Sequence, residues 1–344
     1  MLLCLAVALV FGKQTPLQLN SLNVDTKIAV IGSGAAGSSL IYFLKKEGIH
    51  NFTDVYERSD RIGGRAKSIS LNLKACDTCD EYSVSIELGA SIFAGANRHL
   101  MQAKQEFDLE TKSTKQPKAA QQAKFGIWNG KWVYYDASSL SWWSSAKLLW
   151  TYGISPITVS KICKQLVGRF LDIYKHLENR EYWINSAYEI DRLDIKESLN
   201  VTCRDYLLSR GVSTKFVDEF ISSITRNIYL NDASNLHAFS CLVGFYTSLD
   251  DMYTIKDGNY KLYEHMLEGS SVNLQTKVTV IEKMDDGFEL TFEKDGVEST
   301  KRYDKVVLAT PLESSGIELK GFPVTVQSAQ FPHLEFTKLY GNSY

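Results

Sequence analysis

The feature that most constrains this chain is a glycine pattern set between a strand and a helix: Gly32-Ser33-Gly34-Ala35-Ala36-Gly37. Residues 27–31, Lys-Ile-Ala-Val-Ile, are a short apolar run with β-branched members and read as a strand. Past the glycines, Leu40, Ile41, Phe43 and Leu44 recur at helical spacing, with Lys45 and Lys46 in the last turn and Gly48 where a left-handed cap belongs. A second short strand, residues 54–56, ends on Glu57. Strand, glycine turn, helix, strand and acid in this order are the context that a dinucleotide-binding βαβ unit requires.

Each residue type there has a physical job. Gly32 permits the tight turn, Gly34 lets backbone approach a pyrophosphate, and Gly37 allows the helix to pack closely on the strand. Ala36 lies in the opening turn of the helix, whose unpaired N–H groups and partial positive charge favour phosphate. Glu57, twenty residues after Gly37, is placed to accept hydrogen bonds from an adenosine ribose. Its charge repels a 2′-phosphate, which argues against NADP.

A chain of 344 residues should hold about two domains. With Lys+Arg 38 against Asp+Glu 40 the net charge is -2, so electrostatics alone points neither to nucleic acid nor to an anionic surface. A hydrophobic share of 44% with only 6 Pro supplies a large core and excludes disordered or collagenous classes.

The N-terminus opens on an apolar run, residues 2–11, too short to span hydrocarbon of about 30 Å. It reads as a signal peptide over residues 1–12, with a buried first strand as the alternative. Sequons at Asn51 and Asn200 fit entry into the secretory pathway and predict glycosylation there. Removal of Cys4 with the signal leaves five cysteines, so at least one thiol stays unmatched, and Cys76 and Cys79 are spaced for a local pair. A metal site is not expected, because no second cysteine pair follows and His is sparse.

After Glu57 the chain runs Arg58-Ser59-Asp60-Arg61-Ile62-Gly63-Gly64-Arg65-Ala66-Lys67-Ser68. This resembles the GG-R-x-x-S segment of FAD-binding amine oxidases and their relatives. The resemblance places Arg58, Gly63, Gly64 and Arg65 along the cofactor, the Arg65 guanidinium offering charge-assisted donors to the pyrophosphate. Glu87-Leu88-Gly89-Ala90-Ser91 is similar to the next segment of those enzymes. There Gly89 and Ala90 admit close backbone approach to the flavin and Ser91 bonds the ring edge.

Residues 111–124 are polar and read as a surface connection. From there to about residue 250 the pattern is mostly helical, with Ile162, Leu166, Phe170 and Ile173 marking one face, either core or the wall of an apolar pocket. Tandem Trp142-Trp143 admits peripheral membrane contact, though no basic amphipathic stretch accompanies it. Asp257-Gly258-Asn259 then precedes a helix with Leu262, Met266 and Leu267 on its apolar face. Residues 278–281, 288–292 and 305–310 read as successive strands with Asp-Gly turns. In the flavin family the first of these passes the adenine, giving Val278 as the backbone contact, and the last closes on the phosphate site at Thr310.

Several stretches, KIAVIGSGAAG, RIGGR, WNGKWVYYD, LLWTYG, DGN before KL and VVLATPL, together resemble the prenylcysteine oxidase family. The implied fold is α/β: an FAD-binding Rossmann-like domain of the amine-oxidase type with a largely helical inserted substrate domain. The implied segments are a linker over 13–26, FAD-binding parts over 27–110 and 251–315, and helical substrate domain over 111–250. A second substrate segment then begins over 316–344. Family members continue past Tyr344, so the resemblance implies a chain incomplete at its C-terminus.

The implied reaction cleaves S-farnesyl- or S-geranylgeranyl-cysteine to cysteine, the prenyl aldehyde and hydrogen peroxide, in lysosomal or secreted surroundings, with FAD as cofactor and oxygen as acceptor. Sulfur and the allylic double bond stabilise the cation left when hydride departs, so no protein nucleophile is required, and orientation is the protein's part. His237 and Cys241 lie near each other in sequence but form no triad order and read as structural. A flavin amine oxidase and a noncatalytic secreted relative are the alternatives.

Overall fold

The computed structural model describes residues 9–10, 25–49, 51–74, 81–113, 125–128, 132–136, 142–178 and 186–322. Ile28–Ile31 is buried at every position, as a strand covered on both faces must be. It lies between Lys305–Leu308 and Thr53–Tyr56, parallel to both, and Ser271–Asn273 continues the sheet parallel to Thr53–Tyr56. Leu9–Val10 adds an antiparallel rim, Leu9 opposite Leu308, so this part of the apolar leader occupies the place of a first strand.

Alternation along Ile28–Ile31 divides the sheet into two faces. Ile28 and Val30 pack with Val55 against Ile41 and Leu44 of the helix Ala35–Lys46. Ala29 and Ile31 pack with Tyr56 against Val278, Ile281 and Leu290. Those last three come from an antiparallel meander, Thr276–Met284, Gly287–Lys294 and Val297–Tyr303, with Glu318–Lys320 parallel to its first strand. Asp54 ties the meander to the parallel sheet: Lys301 Nζ and Tyr303 OH both donate to its Oδ2 at 2.7 Å, and Ser271 Oγ to its Oδ1 at 2.7 Å.

One strand is added to those expected. Val297–Tyr303 is exposed until its last residue, so it lacks the alternation that marks a half-buried strand and escapes notice in the sequence. Lys305–Leu308 pairs with Ile28–Ile31 in the parallel sheet rather than with the meander.

Compact units divide at Gly64/Arg65 and Met266/Leu267 rather than near 110 and 250. The reason is strand pairing. Ser68–Lys74 pairs with Glu81–Glu87, while Phe93–Ala94 and Thr111–Ser113 flank Met252–Ile255, so these segments belong with the helical unit. Thr111–Ser113 is therefore a strand, not part of a loose connection; residues 114–124 lie outside the described residues. Phe125–Trp128 and Trp132–Asp136 are antiparallel, which replaces the helical expectation at the start of this region.

In the helical unit, Val159, Cys163, Leu166 and Phe170 line the inward face of Ser155–Leu171, and the expected Ile162 sits at its flank while Ile173 is buried. That face packs with Leu242 and Phe245 of the helix Ala238–Tyr246. A disulfide joins Cys203 to Cys241, and the buried Cys163 thiol donates to the Leu242 carbonyl at 3.2 Å. Cys76 and Cys79, expected as a local pair, lie outside the described residues.

Candidate functional site

The glycine turn closes as its spacing requires. Gly32 has φ +107°, and a Cβ there would stand 2.9 Å from the Ala309 carbonyl oxygen and 3.7 Å from the Thr310 Cβ. A Cβ on Gly37 would land on the Gly32 carbonyl oxygen and press the Val30 side chain at 3.2 Å. Thr310 therefore borders the turn. The helix Ala35–Lys46 starts from Gly34 in extended conformation, with no side-chain cap and no acid in its first turn. Its opening N–H groups, Ala36 among them, are left to an outside acceptor.

Glu57 is 8% exposed and faces this turn. Its Oε2 accepts from the Ser33 backbone N–H and the Ser33 hydroxyl, both at 2.9 Å. Its Oε1 accepts from the Ser59 N–H at 2.9 Å and the Ser59 hydroxyl at 2.8 Å. Burial alone would raise this carboxyl; the four donors outweigh it and hold it below the ordinary glutamate range. All four acceptor positions of the carboxylate are used. Two of the four bonds come from backbone N–H groups, which fix its direction, and two from serine hydroxyls, which can rotate.

Ser33 and Ser59 thus belong to the site, although no motif marks them in the sequence; Ser33 lies next to Gly32 and Ser59 two residues after Glu57. Thr276 N–H donates to the Glu57 carbonyl and Gln275 N–H to the Ser59 carbonyl, both at 2.9 Å, so the meander begins beside the acid. Val278 itself is buried in the core with Tyr56.

The second glycine pair returns to the first. Gly63 N–H donates to the Ser33 carbonyl at 3.0 Å, and a Cβ on Gly64 would stand 3.1 Å from the Gly34 Cα. Arg61 donates to the Gly64 carbonyl at 2.6 Å and tightens this loop. Arg58 is exposed beside it.

In the other unit, the Gly89 segment is built around Asn259, which the sequence gives no site role. Asn259 is 3% exposed. Its side-chain amide donates to the Ala90 carbonyl at 2.6 Å and accepts the Ile255 N–H at 2.7 Å. Its own N–H and the Ser68 hydroxyl donate to Glu87 Oε1 at 2.9 and 2.8 Å, while Glu87 Oε2 is buried with no partner. Ala90 is held at φ +47°, and Gly89 passes so close to Arg65 that a Cβ would stand 2.6 Å from its carbonyl oxygen. Ser91 is exposed.

His237 and Cys241 have structural partners. His237 Nδ1 accepts the Ser240 N–H at 3.1 Å and caps the helix that carries Cys241, and burial lowers its pKa. Both sequon asparagines, Asn51 and Asn200, are exposed. Among the described residues no three His, Cys, Asp or Glu side chains gather where a metal ion would need them.

Residues 30–107 match the NAD(P)-binding Rossmann-like domain, and residues 135–342 match the family described as prenylcysteine lyase. The chain is an α/β protein of the Rossmann-like class. It belongs to the prenylcysteine lyase family. It is 25% identical to prenylcysteine oxidase 1 of Rattus norvegicus over 89% of this chain and 60% of that protein. It is 23% identical to farnesylcysteine lyase of Arabidopsis thaliana over 98% of this chain and 69% of that protein. The chain thus spans about three fifths of the length of the mammalian relatives it matches.

Solved structures share the fold at low identity. Putrescine oxidase bound to putrescine superposes with a TM-score of 0.58 at 17% identity, over 86% of this chain and 60% of that one. A CLA-producing fatty acid isomerase from P. acnes gives 0.56 at 18% identity, over 88% and 63%.

Proposed function

We propose that the chain binds FAD and oxidises the thioether of S-prenylcysteine, releasing cysteine, a prenyl aldehyde and hydrogen peroxide in the breakdown of prenylated proteins. The observation that carries the cofactor is Glu57, ionised and bonded to Ser33 inside a turn where Gly32 and Gly37 leave no room for a Cβ. Family membership supports the substrate.

The residues present fit a dinucleotide. Gly32, Gly34, Ala36 and Gly37 would hold the diphosphate by backbone N–H groups, and Glu57 the adenosine sugar, with Gly63, Gly64 and Thr310 bordering it. Arg65, Gly89, Ala90 and Ser91 carry the roles that the family resemblance gives them. FAD, when bound, supplies a hydride acceptor and a route to oxygen. The protein's part is orientation and exclusion of water, so no acid, base or nucleophile is assigned.

The proposed setting is the secretory pathway or lysosome. The Cys203 to Cys241 disulfide and the exposed sequons support it. Cleavage of the leader near Gly12 belongs to the same reading; it would remove the Leu9–Val10 rim and leave the four parallel strands paired.

Purified protein reconstituted with FAD is expected to show flavin absorbance and to release peroxide on addition of farnesylcysteine. Flavin binding without turnover of any prenylcysteine would sink the substrate, and turnover of polyamines instead would make it an amine oxidase. Failure to take up FAD at all would leave a noncatalytic relative.

A further inference from the structure

An apolar corner stands out of the helical unit. The helix Trp142–Tyr152 ends at Gly153, with φ +63°, and Ser155–Leu171 begins two residues later. Within nine residues Leu149 is 40% exposed, Trp150 93%, Ile154 72% and Ile157 59%. Their direction follows from helix geometry. Tyr152 is buried and packs edge-on against Phe216 at 5.2 Å, so Trp150, two residues earlier, points the opposite way. On the next helix Val159, Cys163 and Leu166 turn inward, which leaves Ile154 and Ile157 outside. The corner is pinned by Ser155 Oγ, which accepts the Ser213 N–H at 3.0 Å.

Charge along this stretch of sequence has one sign. No Asp or Glu occurs between Asp136 and Asp172, while Lys147, Lys161, Lys164 and Arg169 fall inside that stretch. All four are exposed, and Arg169 is engaged with Asp194. Lys215 brings a further ammonium to 5.6 Å from the Tyr152 ring. The whole chain is slightly acidic, so this grouping is a local property of the fold. A large aromatic and three aliphatic side chains projecting from a lysine-flanked corner match the interfacial zone of a bilayer bearing anionic lipid. Among the described residues no helix is long and apolar enough to cross a membrane.

We propose that the corner formed by Leu149, Trp150, Ile154 and Ile157 docks the protein on an anionic lipid surface. The inference is independent of the cofactor and of the reaction. It would also bring the protein to where an amphiphile with a long apolar tail partitions.

The test uses the full chain with vesicles of phosphatidylcholine, with and without phosphatidylserine. Co-sedimentation with the anionic vesicles is expected, with a blue shift of tryptophan emission and weakening as salt rises. The triple variant Trp150→Ser, Ile154→Ser, Ile157→Ser should lower the partition coefficient at least about tenfold. Lys147→Gln with Lys161→Gln and Lys164→Gln should lower it by a smaller factor and flatten the salt dependence. Because every altered side chain is exposed, far-UV circular dichroism should be unchanged. Equal binding to neutral vesicles, binding that survives the triple variant, or no binding to either vesicle overturns the proposal. So does a concentration-dependent dimer that the triple variant abolishes, which would assign the corner to a second copy of the chain.

Discussion

Gly34 and Gly64 meet backbone to backbone: a Cβ on Gly34 would stand 3.7 Å from the Gly64 Cα, and a Cβ on Gly64 only 3.1 Å from the Gly34 Cα. The asymmetry separates two roles. Gly34 has φ -76°, which any residue adopts, so Gly34→Ala should fold with stability within about 0.5 kcal/mol of the parent. Its methyl group would nevertheless cover the helix N-terminus, and FAD affinity should fall more than about tenfold. Gly64 has φ +56°, so Gly64→Ala adds backbone strain to a tight contact and should cost about 1–2 kcal/mol. Urea melts and flavin titrations of both variants check this; equal loss of stability in the two would refute it.

Glu57 should make stability depend on pH. Its folded pKa lies below the ordinary value, so its contribution is complete above the unfolded pKa of about 4.3 and is lost as pH falls through the lower folded value. Glu57→Gln places an amide N–H₂ against either the Ser33 or the Ser59 donors. At neutral pH this should cost about 2–3 kcal/mol. The gap between parent and variant in denaturant melts should narrow as the parent is titrated below about pH 4. A gap that is constant with pH would show that the carboxylate charge plays no part.

The local part of this site was legible in the sequence because its geometry is local. Gly32, Gly34 and Gly37 act within one turn of chain, and Glu57 follows from the length of one helix and one strand. The distant part was not. Asn259 meets Ala90 and Glu87 across about 170 residues, and nothing in a tripeptide Asp-Gly-Asn reveals which carbonyl its amide will reach. The antiparallel pair Phe125–Trp128 and Trp132–Asp136 does carry a usable sequence signal, Asn129-Gly130 between aromatic runs. Val297–Tyr303 follows an Asp295-Gly296 turn signal, but as an exposed polar edge strand it shows no hydrophobic period of its own.

Asn259 predicts a contrast between two carboxamide exchanges. Asn259→Ala leaves the buried Ile255 N–H and the Ala90 carbonyl without partners and should cost about 2–3 kcal/mol. Asn259→Asp keeps the acceptor for Ile255 but sets a negative charge against the Ala90 carbonyl, and should be no better than the alanine variant. Glu87→Gln should behave unlike Glu57→Gln. Its Oε1 can keep the bonds from Ser68 and Asn259, and the substitution removes charge from an oxygen that has no donor. Stability within about 1 kcal/mol of the parent is expected for it. Thermal melts of the four variants decide the matter; a loss at Glu87→Gln as large as at Glu57→Gln would contradict the assignment.

The cysteines of the helical unit should differ in chemistry. Cys203 and Cys241 are bridged across 38 residues, a loop for which closure entropy gives about 4 kcal/mol. Reduction, or the double change Cys203→Ser with Cys241→Ser, should therefore lower the melting temperature by several degrees. Cys163 is fully buried and donates to the Leu242 carbonyl, and burial pushes its thiol up to about 12. The thiolate that alkylating reagents need is scarce there at neutral pH. Iodoacetamide should leave Cys163 unlabelled in the folded protein and modify it on unfolding, as peptide mass spectrometry would read. Labelling of Cys163 in native protein, at a rate like that of a free thiol, would place it at an accessible surface and undo the packing described for the face formed by Val159, Leu166 and Phe170.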